Sequence, residues 1–321
     1  MPRTRSLLRP LRWLLVAALV GAALWTLRGS LPSIEAALRS THPRWTLVAL
    51  ASLVTLGAYA VLVESWRRCL EALGGALTPG AAAIIWFGSN LARYLPGIGW
   101  QLGLMGAMAK EQGVGLAVST GASALVAIAS ILTGLAVCLA GLASLLAGGA
   151  ALPSVRTEAV AVLVVGLLAL AASPWLLPRA GALVTRLTGR VVVLPRLSIR
   201  SAFVAGAGTL AAWLAYGVAF WLLARAVLPG DVPRSLAGCV TLYTASYLVG
   251  LFNPMPAGIG ATEPIIILLA PQLGVASAAE ATVLALFVRA WRTVMETVPN
   301  LLVLGLAGIA RRQPSRGSRI P

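Results

Sequence analysis

The sequence is poor in acidic residues, histidine and cysteine, and each shortage excludes a class of protein. Nine aspartate and glutamate residues among 321 are too few to solvate the surfaces of two soluble domains. His42 is the only histidine, which excludes histidine-based triads, di-metal centres and zinc clusters of the usual kind. Cys69, Cys138 and Cys239 lie far apart in the sequence, so they predict neither a disulfide framework nor a thiolate metal site.

Apolar residues dominate what is present. They make up 59% of the chain, only 11% of the residues are charged, and the mean hydropathy is +0.90. This composition predicts an all-α, polytopic membrane helix bundle in which residues 1–321 form a single domain. The net charge of +16 comes from arginines between apolar segments, which is typical of cytoplasmic flanks facing anionic lipid rather than of a nucleic-acid partner.

Four apolar stretches have roughly the 20 residues that a bilayer core requires. They are 13–28, 45–66, 157–177 and 201–228. The first follows four arginines, as a signal peptide would, but it lacks a small-residue cleavage site, so we expect a retained first helix. Arginines also occupy the loop 179–200 and both chain ends. The positive-inside rule therefore predicts a plasma-membrane protein with cytoplasmic N- and C-termini, and a basic, disordered tail at 312–321.

The stretch 79–111 is apolar but is broken by Pro96-Gly97-Ile98-Gly99. Each arm is too short to span, since a 14-residue arm is only about 21 Å long. The charge-free stretch that follows could hold two short helices or one long one. A re-entrant hairpin at 79–111 and one long helix at 114–148 place the arginine-rich loop inside, and this arrangement is our prediction.

The broken segment has a counterpart later in the chain. Gly97-Ile98-Gly99 and Gly113-Val114 match Gly258-Ile259-Gly260 and Gly274-Val275, and one constant shift relates both matches. The same shift lays 45–66 over 201–228. Two repeats follow, at about 10–150 and 155–311. Three crossings in each half make the second half inverted, so one hairpin enters the membrane from each side.

The first hairpin offers a candidate anion site. Arg93 lies near the end of the first arm, and Pro96, Gly97 and Gly99 free backbone groups that could face a ligand. A guanidinium beside freed amides suits a phosphate. The alternatives are that Arg93 reaches the lipid headgroups or pairs with Glu111. Asn90 is assigned a structural role, in which it holds the broken backbone by hydrogen bonds.

The second hairpin carries a lone carboxylate. Gly258 and Gly260 precede Thr262, which we predict to be a helix N-cap, and Glu263 follows in the first turn. Glu263 is either a favourable first-turn acid, a ligand for a cationic headgroup, the partner of an arginine or a proton carrier. Asn253 is assigned the same structural role as Asn90.

The last helix places three charges on one face. Arg292 and Glu296 are four residues apart and form a predicted ion pair. This pair neutralises itself and leaves Arg289, for which Glu263 across the bundle is the preferred partner. The predicted substrate-binding set is therefore Arg93, Pro96, Gly97, Gly99, Gly258, Gly260, Glu263, Arg289 and Arg292, with Glu296 structural.

These two motifs resemble the lysylphosphatidylglycerol synthase transmembrane family of flippase-like integral membrane proteins. The resemblance covers nearly the whole chain and rests most on Pro-x-Gly-Ile-Gly-x-x-Glu with an arginine downstream. It implies that a lipid, an aminoacylated phospholipid or a polyprenyl-linked glycan moves between leaflets. It also implies functional roles for Pro96, Gly97, Gly258, Gly260, Glu263 and Arg289. Some relatives carry a basic residue where this chain has Ile98, and Arg93 or Lys110 would have to substitute for it.

The leading hypothesis is a lipid flippase whose substrate is an anionic phospholipid or a polyprenyl-phosphate lipid. We expect no cofactor and no metal. The longest polar loop, 179–200, is far too short to form a soluble aminoacyl-transferase domain, so we expect no such domain and no synthase activity. A membrane-embedded transferase and a non-catalytic partner of a glycosyltransferase are the alternatives, and a homo-oligomer is compatible with each.

Overall fold

The computed structural model describes residues 42–94, 100–147, 199–230, 234–252 and 260–310. Within these ranges the chain is helical and contains no strand. Three of the helices, α1, α4 and α5, are long and apolar enough to cross a membrane, which confirms the predicted class of membrane helix protein. The α-helices of the described ranges are α1 (Trp45–Ala72), α2 (Pro79–Asn90), α3 (Trp100–Glu111), α4 (Leu116–Ala147), α5 (Ile199–Val227), α6 (Leu236–Phe252), α7 (Thr262–Leu269) and α8 (Ala278–Ala310).

Several predicted features lie outside the described residues. They are the apolar stretches 13–28 and 157–177, the tail 312–321, and the hairpin residues Pro96, Gly97, Gly99, Asn253 and Gly258. Arg93 lies in a short 3₁₀ helix, Leu91–Tyr94, that continues α2, and its side chain is outside the described part of the chain.

The charge-free stretch after the first broken segment is one continuous helix. α4 has 32 residues, Leu116–Ala147, and at 1.5 Å per residue it is about 48 Å long, more than a bilayer core requires. The prediction of one long helix rather than two short ones is confirmed. By contrast, α2 and α3 have 12 residues each, about 18 Å, so neither could span alone.

The first described helices of the two halves, α1 and α5, pack against each other along most of their lengths. They run antiparallel, because the start of one helix meets the end of the other. The Arg44 N–H donates to the Ala226 carbonyl at 2.9 Å, and the Cys69 thiol lies 3.6 Å from the Ser201 carbonyl oxygen. Packing is close because Gly208 faces Ser65, leaving no room for a side chain at that position.

Two further contacts between the halves are reciprocal. The shift that carries Gly97 onto Gly258 also pairs α2 with α6 and α4 with α8. In the structure α4 packs on α6, and α8 packs on α2. The second contact therefore joins the counterparts of the two helices that make the first.

The same turn ends α3 and the segment after α7. Gly113 and Gly274 both have positive φ, 84° and 63°, a conformation that glycine adopts without steric cost. The Val114 N–H donates to the Ala109 carbonyl at 3.1 Å, and the Val275 N–H donates to the Ala270 carbonyl at 2.9 Å. Both are the six-to-one bond of a Schellman motif, so the glycine match read from the sequence corresponds to a shared backbone structure.

Candidate functional site

Two ion pairs lie along α8. The Arg292 Nε and a Glu296 carboxylate oxygen are 2.9 Å apart, and the Arg289 Nη1 and a Glu263 carboxylate oxygen are 3.4 Å apart. All four side chains are at least four-fifths buried. Both predicted pairings are therefore confirmed, and the second joins α7 to α8.

The start of α7 differs from its prediction by one residue. Thr262 is the first residue of the helix rather than its N-cap, and the N-cap, Ala261, makes no side-chain capping bond. The Glu263 carboxylate instead reaches back and accepts the N–H of Gly260, the residue before the N-cap, at 3.1 Å. The Thr262 side chain is buried.

A cavity of about 190 Å³ lies between the two halves. Tyr59 on α1 and Tyr216 on α5 line it, and both lie near the midpoints of helices that are long enough to span. The cavity therefore lies beside the middle of both of these helices. Its wall combines aromatic, amide, hydroxyl and carboxylate groups, as ligand pockets commonly do. The polar and aromatic lining residues are Tyr59, Trp86, Asn90, Gln101, Ser123, Ser130, Tyr216, Tyr243, Tyr247 and Glu296.

Asn90 connects the two arms of the first broken segment. Its side-chain carbonyl accepts from the Gln101 amide nitrogen at 2.6 Å, which ties the end of α2 to the start of α3. The sequence predicted that Asn90 holds the broken backbone, whereas this bond joins the two arms through side chains. Both side chains also line the cavity, and so does Glu296, whose role was predicted as structural too.

Sequence reasoning missed the tyrosines. Four of the five tyrosines in the chain line this cavity. Tyrosine in membrane proteins is enriched at the two interfaces, so a tyrosine at the centre of a span is the signal that could have found the site. Tyr243 and Tyr247 add a second signal, because a spacing of four residues places both rings on one face of α6.

The four charged residues of the ion pairs belong to the second half only. At the corresponding positions of the repeat, the first half carries Leu102, Ile128, Ile131 and Leu135 in place of Glu263, Arg289, Arg292 and Glu296. Leu102 and Ile131 also line the cavity. The two halves therefore differ in charge at these four positions.

Within the described residues, no group of three or more histidine, cysteine or acidic side chains is placed to hold a metal ion.

The model of the lysylphosphatidylglycerol synthase TM region family matches residues 12–299. The chain belongs to this family. No curated protein matches the chain.

Family membership identifies the protein as a membrane domain of the kind found in lysylphosphatidylglycerol synthases, with a role related to membrane lipids. The matched residues include every helix from α1 to α7 and most of α8. The cavity and both ion pairs therefore lie inside the family domain, and the resemblance seen in the two glycine motifs is confirmed.

Proposed function

We propose that this protein moves the headgroup of a phospholipid or a polyprenyl-linked lipid between the leaflets of the membrane, as a transporter without a catalytic step. The observation that supports this most is the cavity, because both halves of the chain build it and it lies beside the middle of two helices long enough to span a membrane. A headgroup crossing a membrane needs polar contacts at mid-bilayer depth, where hydrocarbon offers none.

The rim of the cavity favours a lipid over a soluble solute. Leu102 and Leu251 line it and are 38% and 45% exposed. Such apolar residues at the opening allow acyl chains to stay in the bilayer while the headgroup occupies the polar interior. We propose an anionic phospholipid or a polyprenyl-phosphate lipid as the substrate class.

We further propose that the two halves are inverted repeats with re-entrant hairpins, in a plasma-membrane protein with cytoplasmic termini. The antiparallel packing of α1 against α5 supports inversion, because corresponding helices of parallel repeats would run the same way. The reciprocal packing of α4 on α6 and of α8 on α2 supports a two-fold relationship. The lengths of α2 and α3 support hairpins that turn back before crossing.

A substitution that fills the cavity tests the function directly. Ala127 lines the cavity, so Ala127→Trp should occupy the headgroup path and abolish translocation of fluorescent lipids in proteoliposomes, measured by quenching from the outside. Ala60→Trp is the matched control, because Ala60 is exposed on α1 and does not line the cavity. Equal translocation by wild type and Ala127→Trp would contradict the proposal, provided that both proteins reconstitute with unchanged melting temperature.

A further inference from the structure

Three of the tyrosine rings that line the cavity are close neighbours. The ring centroids of Tyr216 and Tyr243 are 5.5 Å apart, and those of Tyr243 and Tyr247 are 6.3 Å apart. The planes of these neighbouring rings differ by only 36° and 31°. All three residues line the cavity, and aromatic rings can contact a flat apolar face of a ligand or a cation.

One of these rings, that of Tyr247, already contacts a cation of the protein. The Arg292 guanidinium lies 4.7 Å from the centroid of Tyr247 and pairs with Glu296. Glu296 is the one charged residue among the described residues that line the cavity. Its charge is balanced from within, so an ammonium headgroup would gain little there and would have to compete with a guanidinium held on the same helix.

Two other lining residues, Asn90 and Gln101, carry amide groups that both donate and accept hydrogen bonds. The bond between Asn90 and Gln101 uses the carbonyl of the first and the amide nitrogen of the second. The bonded pair retains a donor, the Asn90 amide nitrogen, and an acceptor, the Gln101 carbonyl. A hydroxyl group both donates and accepts, so neighbouring hydroxyls match this pair, whereas an ammonium group only donates and a phosphate only accepts.

We propose that the cavity binds an uncharged sugar ring, which stacks its C–H face on Tyr216, Tyr243 and Tyr247 and directs hydroxyls to Asn90 and Gln101. This inference rests on the proposed function, since it names the headgroup that the translocated lipid carries. If the lipid carries a charged group, that group then lies away from these three tyrosines.

The test compares diacyl lipids with identical fluorescent chains and different headgroups in proteoliposomes of the full chain. The probes are a glucosyl lipid, a trimethylammonium lipid and phosphatidylglycerol. We expect the glucosyl lipid to move at least about tenfold faster than the trimethylammonium lipid, a ratio that a few specific polar and stacking contacts can provide. Faster or equal movement of the trimethylammonium lipid or of phosphatidylglycerol would overturn the inference and leave the proposed function standing.

Two further results separate the inference from the proposed function. If no lipid moves and radiolabelled methyl glucoside does not enter the vesicles, both are overturned. If radiolabelled methyl glucoside enters the vesicles while no lipid moves, the sugar chemistry is supported and lipid translocation is overturned.

Variants of the lining residues test whether their contacts cause the preference for the glucosyl lipid. Tyr247→Leu should reduce the preference for the glucosyl lipid about tenfold, and Tyr247→Phe, which keeps the ring face, should restore most of it. Gln101→Met, which removes the amide at similar size, provides a second variant if Tyr247→Leu does not fold. Trp45→Leu is the control, because Trp45 is an exposed aromatic residue outside the cavity. Unchanged selectivity in folded Gln101→Met and Tyr247→Leu would overturn the inference.

Discussion

Glu263 makes two interactions that would otherwise need two residues. Its carboxylate accepts the Gly260 N–H at the start of α7 and pairs with Arg289 on α8. The first interaction satisfies a backbone donor just before the helix N-cap, and the second neutralises a cation in an apolar setting. One side chain thereby fixes both the beginning of α7 and its position against α8.

Removing either member of this pair should destabilise the protein. Glu263→Gln and Arg289→Gln each remove one charge of a mostly buried ion pair, which costs about 3–5 kcal/mol for a buried pair. The double variant removes both charges, so its loss should be smaller than the sum of the single losses. Thermal unfolding of the purified proteins measures this coupling. Additive losses would mean that the 3.4 Å pair contributes nothing to stability.

The ion pairs could be predicted from sequence because charges are scarce in this chain. With so few acids, Arg289 had only a small number of candidate partners, and Glu263 was the one that the repeat placed nearby. The tyrosine cavity could not be predicted in the same way. Tyr59, Tyr216 and Tyr247 lie on three different helices, and only the packing of those helices brings the rings together.

The two Schellman turns show how a helix is ended in this protein. At Gly113 no heavy atom lies within 4 Å of where a Cβ would be placed, so the glycine is required by backbone conformation and not by crowding. The same residue type therefore recurs at Gly274 for the same conformational reason.

Alanine at either turn should therefore cost stability through the backbone alone. Gly113→Ala and Gly274→Ala should each lower the free energy of unfolding by about 1 kcal/mol, because alanine is strained at positive φ. Gly57→Ala is the control, since Gly57 lies within α1 with open space around it, and there alanine favours the helix by about 0.5–1 kcal/mol. Chemical or thermal unfolding would reveal the opposite signs. A neutral result at Gly113 would contradict the assigned turn.

The close contact between α1 and α5 at Gly208 and Ser65 can also be tested by substitution. A Cβ at Gly208 would overlap the Ser65 hydroxyl and lie 2.9 Å from the Ser65 Cβ. Gly208→Ala should therefore destabilise the protein by about 1–3 kcal/mol through overpacking. Ser65→Gly in the same chain should recover part of the loss, because it removes both clashing atoms. Failure of the second substitution to rescue the first would argue against this helix contact.

Element boundaries followed from sequence where charge and proline mark them. The apolar stretch 45–66 became the longer helix α1 because Arg67 and Arg68 continue it, each paired with Glu64 one turn earlier. Side chains that pair within a helix allow it to continue past the apolar stretch. The Thr262 cap was predicted wrongly because the helix begins at Thr262 and its N-cap is Ala261, which makes no side-chain capping bond.

The inversion of the two halves can be tested on the whole molecule. Gln112 and Gln272 are exposed residues in the corresponding turns after α3 and α7. In a background in which the three native cysteines are replaced, Gln112→Cys and Gln272→Cys should react with a membrane-impermeant maleimide from opposite sides of the membrane. Labelling of both from the same side would contradict inverted repeats.

The pairing of α1 with α5 was beyond sequence reasoning. The constant shift between the two glycine motifs predicted which segments correspond, but correspondence does not say which segments touch. The contact depends on small residues such as Gly208, whose meaning is visible only when the neighbouring helix is in place.

The first half carries leucine and isoleucine where the second half carries Glu263, Arg289, Arg292 and Glu296. In the proposed transport cycle, a movement that opens the bundle between α7 and α8 would part Glu263 from Arg289, whereas the same movement in the first half would part only apolar side chains. Separating a mostly buried ion pair costs free energy, so the two halves would differ in the free energy needed to open them.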